Sequence, residues 1–137
     1  MRNKMKQSME NAFINAEHGD LVVRLSKPGH AILRSMTAEK AHLLHMAVGV
    51  ASEAGELLDA VKKHVIYEMD LHDGSKGQSI FDNIVEEHGD LEFYLNGIRE
   101  ALNIHREFVL RRNIEKLEQR YGSSYSNEAA EERADKS

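Results

Sequence analysis

The chain has 137 residues, 41 % of them hydrophobic and 30 % charged, with 18 Lys plus Arg against 23 Asp plus Glu and a formal charge of −5. Once folded, a chain of this length buries about two-thirds of its unfolded surface; its hydrophobic residues are too plentiful for a disordered chain, and no apolar stretch reaches the ~20 residues of a bilayer span, which excludes a membrane protein. The absence of cysteine excludes thiolate zinc sites, disulfide frameworks and cysteine nucleophiles, and the acidic balance speaks against a nucleic-acid polymer as partner, because that binding rests on Lys and Arg neutralising phosphates.

The first residues, MRNKMKQSMENAF, lack the continuous apolar core of a secretory signal, so a reducing, cytoplasmic setting is expected. A single proline, Pro28, and long stretches without glycine predict a mostly helical chain. A first helix is expected over about 3–17, with Met5, Met9, Ala12, Phe13 and Ala16 inward, and Leu21–Leu25 is compatible with an extended segment. From Thr37, a plausible cap, Leu43, Ala47, Val50, Ala54, Leu57, Val61 and Val65 recur at steps of 4, 3, 4, 3, 4 and 4, the period of an amphipathic helix. Residues 73–79 read as a loop. Phe81, Ile84, His88, Leu91, Leu95, Ile98 and Leu102 then step 3, 4, 3, 4, 3, 4 to Asn103, which is expected to end that helix and cap the next. The last stripe is Leu110, Ile114, Leu117 and Tyr121, closed by Gly122. Residues 1–122 thus read as one all-α domain, an antiparallel four-helix-bundle-like arrangement, and 123–137 as a polar, disordered tail.

The chemistry-bearing residues sit at a fixed offset from these stripes. Glu53 and Glu56, like Glu87 and Asp90, are three apart and project from one side of a helix. Each precedes a stripe residue by one, so an antiparallel pairing at matching heights turns all four carboxylates into one groove. Asn113, Lys116 and Arg120 repeat the offset and supply a basic and amide edge. Clustered carboxylates repel one another, a hard divalent cation relieves that, and oxygen-only ligands favour Mg²⁺ or Mn²⁺ over zinc. A cation completed by phosphate oxygens beside Lys and Arg describes a site for a di- or triphosphate.

The segments SEAGELLDAVKKHV around Glu53 and Glu56, VEEHGDLEFYL around Glu87 and Asp90, and NIEKLEQRYG over 113–122 resemble the MazG-like family of all-α nucleoside triphosphate pyrophosphohydrolases, over about residues 40–122. The resemblance implies a MazG-type fold, hydrolysis of a (deoxy)nucleoside triphosphate to monophosphate and pyrophosphate with Mg²⁺ (Mn²⁺ as substitute), and a homodimer or homotetramer. It implies Glu53, Glu56, Glu87 and Asp90 as metal ligands, Glu53 or Glu56 as the group that orients or deprotonates the attacking water, and Lys116, Arg120 and Asn113 on the phosphates. The chain has no tryptophan, so a base pocket lined by that residue, known in some relatives, is not reproduced here.

Further candidates are Lys63 for phosphate, seven residues from Glu56 on the same side of its helix, and His42 and His45 for the base. His88, on the apolar stripe, reads as a core histidine. Glu39-x-x-His42 matches half of a di-iron element with no second half, and no phosphate-binding glycine loop or GxSxG element is present. The alternatives are an enzyme like phosphoribosyl-ATP pyrophosphatase and, from another class, a helical interaction module with an acidic groove.

Overall fold

The computed structural model describes residues 2–75 and 77–136, apart from the side chains of Arg2, Asn3 and Met5. The described residues form helices α1 (Arg2–Leu25), α2 (Gly29–Ser35), α3 (Ala38–Val65), α4 (Ile80–Leu102), α5 (Arg106–Tyr121) and α6 (Asn127–Glu132), then a 3-10 turn at Ala134–Lys136, and no strand. The fold class is all-α. The chain forms two compact units, one up to Thr37 and one from Ala38 onward.

In the first unit, α1 runs eight residues past the expected end, and the segment Leu21–Leu25 is helical, not extended. Nothing in that stretch stops a helix until Pro28, which disfavours helical geometry in the residue before it. Pro28 itself precedes α2, its carbonyl accepting from the N–H groups of Ala31 and Ile32 at 2.9 and 3.1 Å. Met9, Ala12, Phe13 and Ala16, expected inward, are exposed, Phe13 by 70 %. Periodicity marked them, but α1 buries no described side chain, so the stripe has nothing within the unit to face. The Met5 side chain lies outside the described residues.

In the second unit, α3 begins directly after Thr37 and α4 is started by Ser79. The Ser79 hydroxyl accepts from the Asp82 N–H at 3.1 Å and donates to the Asp82 carboxylate at 2.7 Å, a side-chain cap that satisfies one of the free donors of the first turn. Asn103 ends α4 in the left-handed region at φ 51°, but α5 is preceded by His105, so Asn103 does not cap it. Gly122 closes α5 at φ 62°, as expected of a residue past a helix end.

The extensive helix–helix interface is that of α3 with α4. Its seam is set by two glycines. A methyl group on Gly49 would overlap the Tyr94 ring, and one on Gly97 would overlap the Met46 side chain, so each glycine is the seat for a side chain of the opposite helix. Three residues forward on α3, from Met46 to Gly49, correspond to three back on α4, from Gly97 to Tyr94. The same antiparallel register carries Glu53 level with Asp90, Glu56 with Glu87 and Ala60 with Asn83.

Met46, Ala60 and Ile80 are the buried apolar side chains of this seam. The apolar stripes found by periodicity lie to one side of it. Val50, Leu57, Ile84, Leu91, Leu95 and Ile98 are half-buried, while Ala47, Ala54, Val61, Val65, Phe81 and Leu102 are exposed. The helix α5 packs on the C-terminal segment and makes no extensive contact with α3 or α4. A four-helix bundle is therefore not closed within the described chain. Residues 123–136, expected as a structureless tail, hold α6 and the 3-10 turn, both against α5.

Candidate metal centre

The seam brings acid groups together where the glycine seats end. Ligand-capable oxygens of Glu53, Glu56 and Glu87 lie within 4.8 Å of one another, from two helices. Glu53 is half-buried, Glu56 exposed and Glu87 buried. Glu87 is held by the Asn83 side-chain amide, which donates to its Oε1 at 2.8 Å from one turn earlier on α4. A buried carboxylate left without such a donor would carry its full desolvation cost.

Asp90, expected as the fourth member, is exposed and stands outside that group of three, and it reaches Glu53 through its charge. Partial burial, then the charges of Glu56, Asp90 and Glu87, and finally a hydrogen bond with Glu87 all push the Glu53 carboxyl above its ordinary range. Burial disfavours the ionised form, and like charges disfavour it further. The two lysines beyond the cluster do not relieve it: Lys62 and Lys63 both pair with Asp59, at 2.5 and 2.9 Å. Those contacts hold the Asp59 carboxyl below the usual range. Oxygen-only donors with like negative charges fit a hard divalent cation better than a thiophilic one.

The remaining sequence-derived candidates are placed less centrally. Lys63 is engaged with Asp59. His42 and His45 are exposed, and the His45 ring meets Tyr94 edge-on with centroids 6.2 Å apart. His88, read as a core histidine, is exposed, because the seam runs through Glu87 instead. Asn113, Lys116 and Arg120 lie on α5, and the chain does not bring them to the carboxylates. Arg120 is taken up by Asp135 of the C-terminal segment, its Nε and Nη2 donating to the two carboxylate oxygens at 2.5 and 2.6 Å.

Sequence reasoning missed Asn83, Tyr94 and the glycines at 49 and 97. Asn83 carries a usable signal, its spacing of four before Glu87. The glycines carry another: Gly49 stands four residues before Glu53 and Gly97 seven after Asp90, on the carboxylate side of each helix. No family model, curated protein or solved structure matches this chain.

Proposed function

We propose that the protein is a Mg²⁺-dependent nucleoside triphosphate pyrophosphohydrolase of the MazG-like type, acting in the cytoplasm as a homodimer or homotetramer. The observation that carries the reading is the convergence of Glu53, Glu56 and Glu87 within 4.8 Å across α3 and α4. Glu53, Glu56, Glu87 and Asp90 would hold the ion, which when bound polarises phosphate oxygens and offsets the charge of departing pyrophosphate. Glu53 or Glu56 would orient or deprotonate a water directed at the α-phosphorus. Asn83 fixes the orientation of Glu87. The basic face of α5, with Asn113, Lys116 and Arg120, binds the phosphate tail in the assembled oligomer, where α5 meets a carboxylate groove that the single chain leaves open.

The test is pyrophosphate release from a panel of ribo- and deoxynucleoside triphosphates with Mg²⁺, Mn²⁺ or chelator. Monophosphate and pyrophosphate are expected with metal alone. Glu56→Gln and Asp90→Asn are each expected to lower turnover by about 100-fold or more while leaving helical circular dichroism intact, in line with the loss of a group that acts on the transition state. Full activity in both variants overturns the metal-site assignment. Silence of the folded protein across the panel moves the reading to phosphoribosyl-ATP and then to an acidic-groove binding module.

A further inference from the structure

The C-terminal segment returns to α5 in two steps. After Gly122 the chain turns so that the Tyr121 and Tyr125 rings meet at a tilt of 37° with centroids 5.4 Å apart, and Ser126 starts α6 by accepting from the Ala129 N–H at 3.1 Å. Arg133, in the left-handed region at φ 52°, reverses the chain into the 3-10 turn. That turn delivers Asp135 onto Arg120. The two side chains are 3 % and 15 % exposed, and both carboxylate oxygens are used. Gln119 adds a bond from its side-chain amide to the Ala134 carbonyl at 3.2 Å.

Arg112, Lys116 and Arg120 are four residues apart and form one cationic stripe on α5. Beside Asp135, a cavity of about 290 Å³ is lined by Arg112, Glu115, Lys116 and Gln119. A guanidinium fork receives a carboxylate and a phosphate in the same two-pronged geometry, so the two compete for it. The segment that supplies the carboxylate is short and buries little apolar surface, which makes its detachment inexpensive compared with opening α3 from α4.

We infer that the C-terminal segment is an intrachain anion mimic: Asp135 occupies the Arg120 guanidinium and has to leave before that guanidinium can take a phosphate group. The choice of phosphate as the displacing anion rests on the proposed function. Occupancy of the closed state lowers apparent anion affinity by the fraction of molecules that are open, so a segment closed nine-tenths of the time costs about tenfold.

The experiment is titration calorimetry of the full chain with tripolyphosphate in chelator, which keeps the carboxylate cluster out of the measurement. Asp135→Asn is expected to bind about tenfold more tightly than the unaltered protein, and Arg120→Gln to lose binding in either background. Hydrogen exchange on the unaltered protein gives an independent readout, with tripolyphosphate expected to speed exchange of amides 127–136. Unchanged affinity in Asp135→Asn, or unchanged exchange at saturation, overturns the mimic. If Arg120→Gln alone weakens binding, Arg120 is an anion site without a latch, and the mimic is likewise overturned. Nucleotide hydrolysis with Mg²⁺ is followed separately: a chain that hydrolyses nothing but gains affinity in Asp135→Asn keeps the latch and loses the enzyme assignment.

Discussion

Glu53 ties the stability of the fold to the charge of the cluster. Its carboxyl is raised, so the folded state holds a proton that the unfolded chain has already released. Such a group stabilises the fold below its ordinary range, and that contribution is lost as pH rises through the raised value. Without metal, the melting temperature is therefore expected to fall as pH climbs above about 4.5, the ordinary carboxylate value. Mg²⁺ at neutral pH is expected to reverse the loss, since an ion that binds only the folded state stabilises it. Glu53→Gln removes one member of the repelling set, so its metal-free melting temperature at pH 7 should exceed that of the unaltered protein and should no longer respond to Mg²⁺. Calorimetry at several pH values, with and without Mg²⁺, checks both; a metal-free melting temperature that rises with pH through this range contradicts the account. At this scale the sequence was informative for Glu53, Glu56 and Glu87, whose spacing on two helices was enough to foresee their meeting, and less so for Asp90, which stays outside that group. It did not reveal how Glu87 tolerates burial, because one asparagine among many polar residues gives no sign of the bond it makes until the backbone is placed.

The pairing of α3 with α4 rests on the two glycine seats, and the two differ in what fills them. Opposite Gly49 is the rigid Tyr94 ring; opposite Gly97 is the flexible end of Met46. Alanine in a helix gains about 1 kcal/mol over glycine, whereas overpacking costs about 1–3 kcal/mol where neighbours cannot move. Gly49→Ala is thus expected to destabilise the protein by up to about 2 kcal/mol, and Gly97→Ala to be close to neutral as Met46 changes rotamer. Urea midpoints measure both, and equal effects would show that the seats do not differ in stiffness. The helices themselves were legible from their 3.6-residue period, but the seam was not. Hydropathy ranks glycine and glutamate outside a core, while the seam is built from Gly49, Glu53, Glu87 and Gly97 with Met46 and Ala60. Periodicity therefore pointed to Val50, Leu57, Leu91 and Leu95, one residue around the helix, which form the flank of the hairpin away from the acids. The course of α5 was illegible for a related reason: an apolar stripe says that a helix will be covered, and not by what.

Across the whole molecule, the amount of apolar surface without a cover sets the next expectation. Val61, Val65 and Phe81 on the α3–α4 pair are all more than a third exposed, and among the described residues the buried apolar side chains are Met46, Ala60 and Ile80. Exposed apolar side chains on a helix pair fit the proposed association of this chain with a second copy. Sedimentation velocity is expected to return a multiple of 15.5 kDa, and Val61→Lys, which puts a charge on the flank away from the carboxylates, to shift the population toward the single chain. A monomer at micromolar concentration would refute the assignment of that flank to a second copy.

With an ion held by the carboxylates as proposed, the glycine seats would make the separation of two helix axes a ruler for its size. Mg²⁺ takes oxygens at about 2.0–2.1 Å in a strict octahedron, while Ca²⁺ accepts about 2.3–2.6 Å and looser geometry. Glu53 and Glu56 are carried by one axis, Glu87 and Asp90 by the other, and their reach across is set one to two turns away by Tyr94 on Gly49. A methyl group at that seat wedges the axes apart without touching a ligand. Gly49→Ala should then bind Ca²⁺ relatively better and Mg²⁺ relatively worse, a drift readable as the ratio of their half-saturation concentrations. Ion selectivity in this fold would in that case be written in a residue that has no side chain.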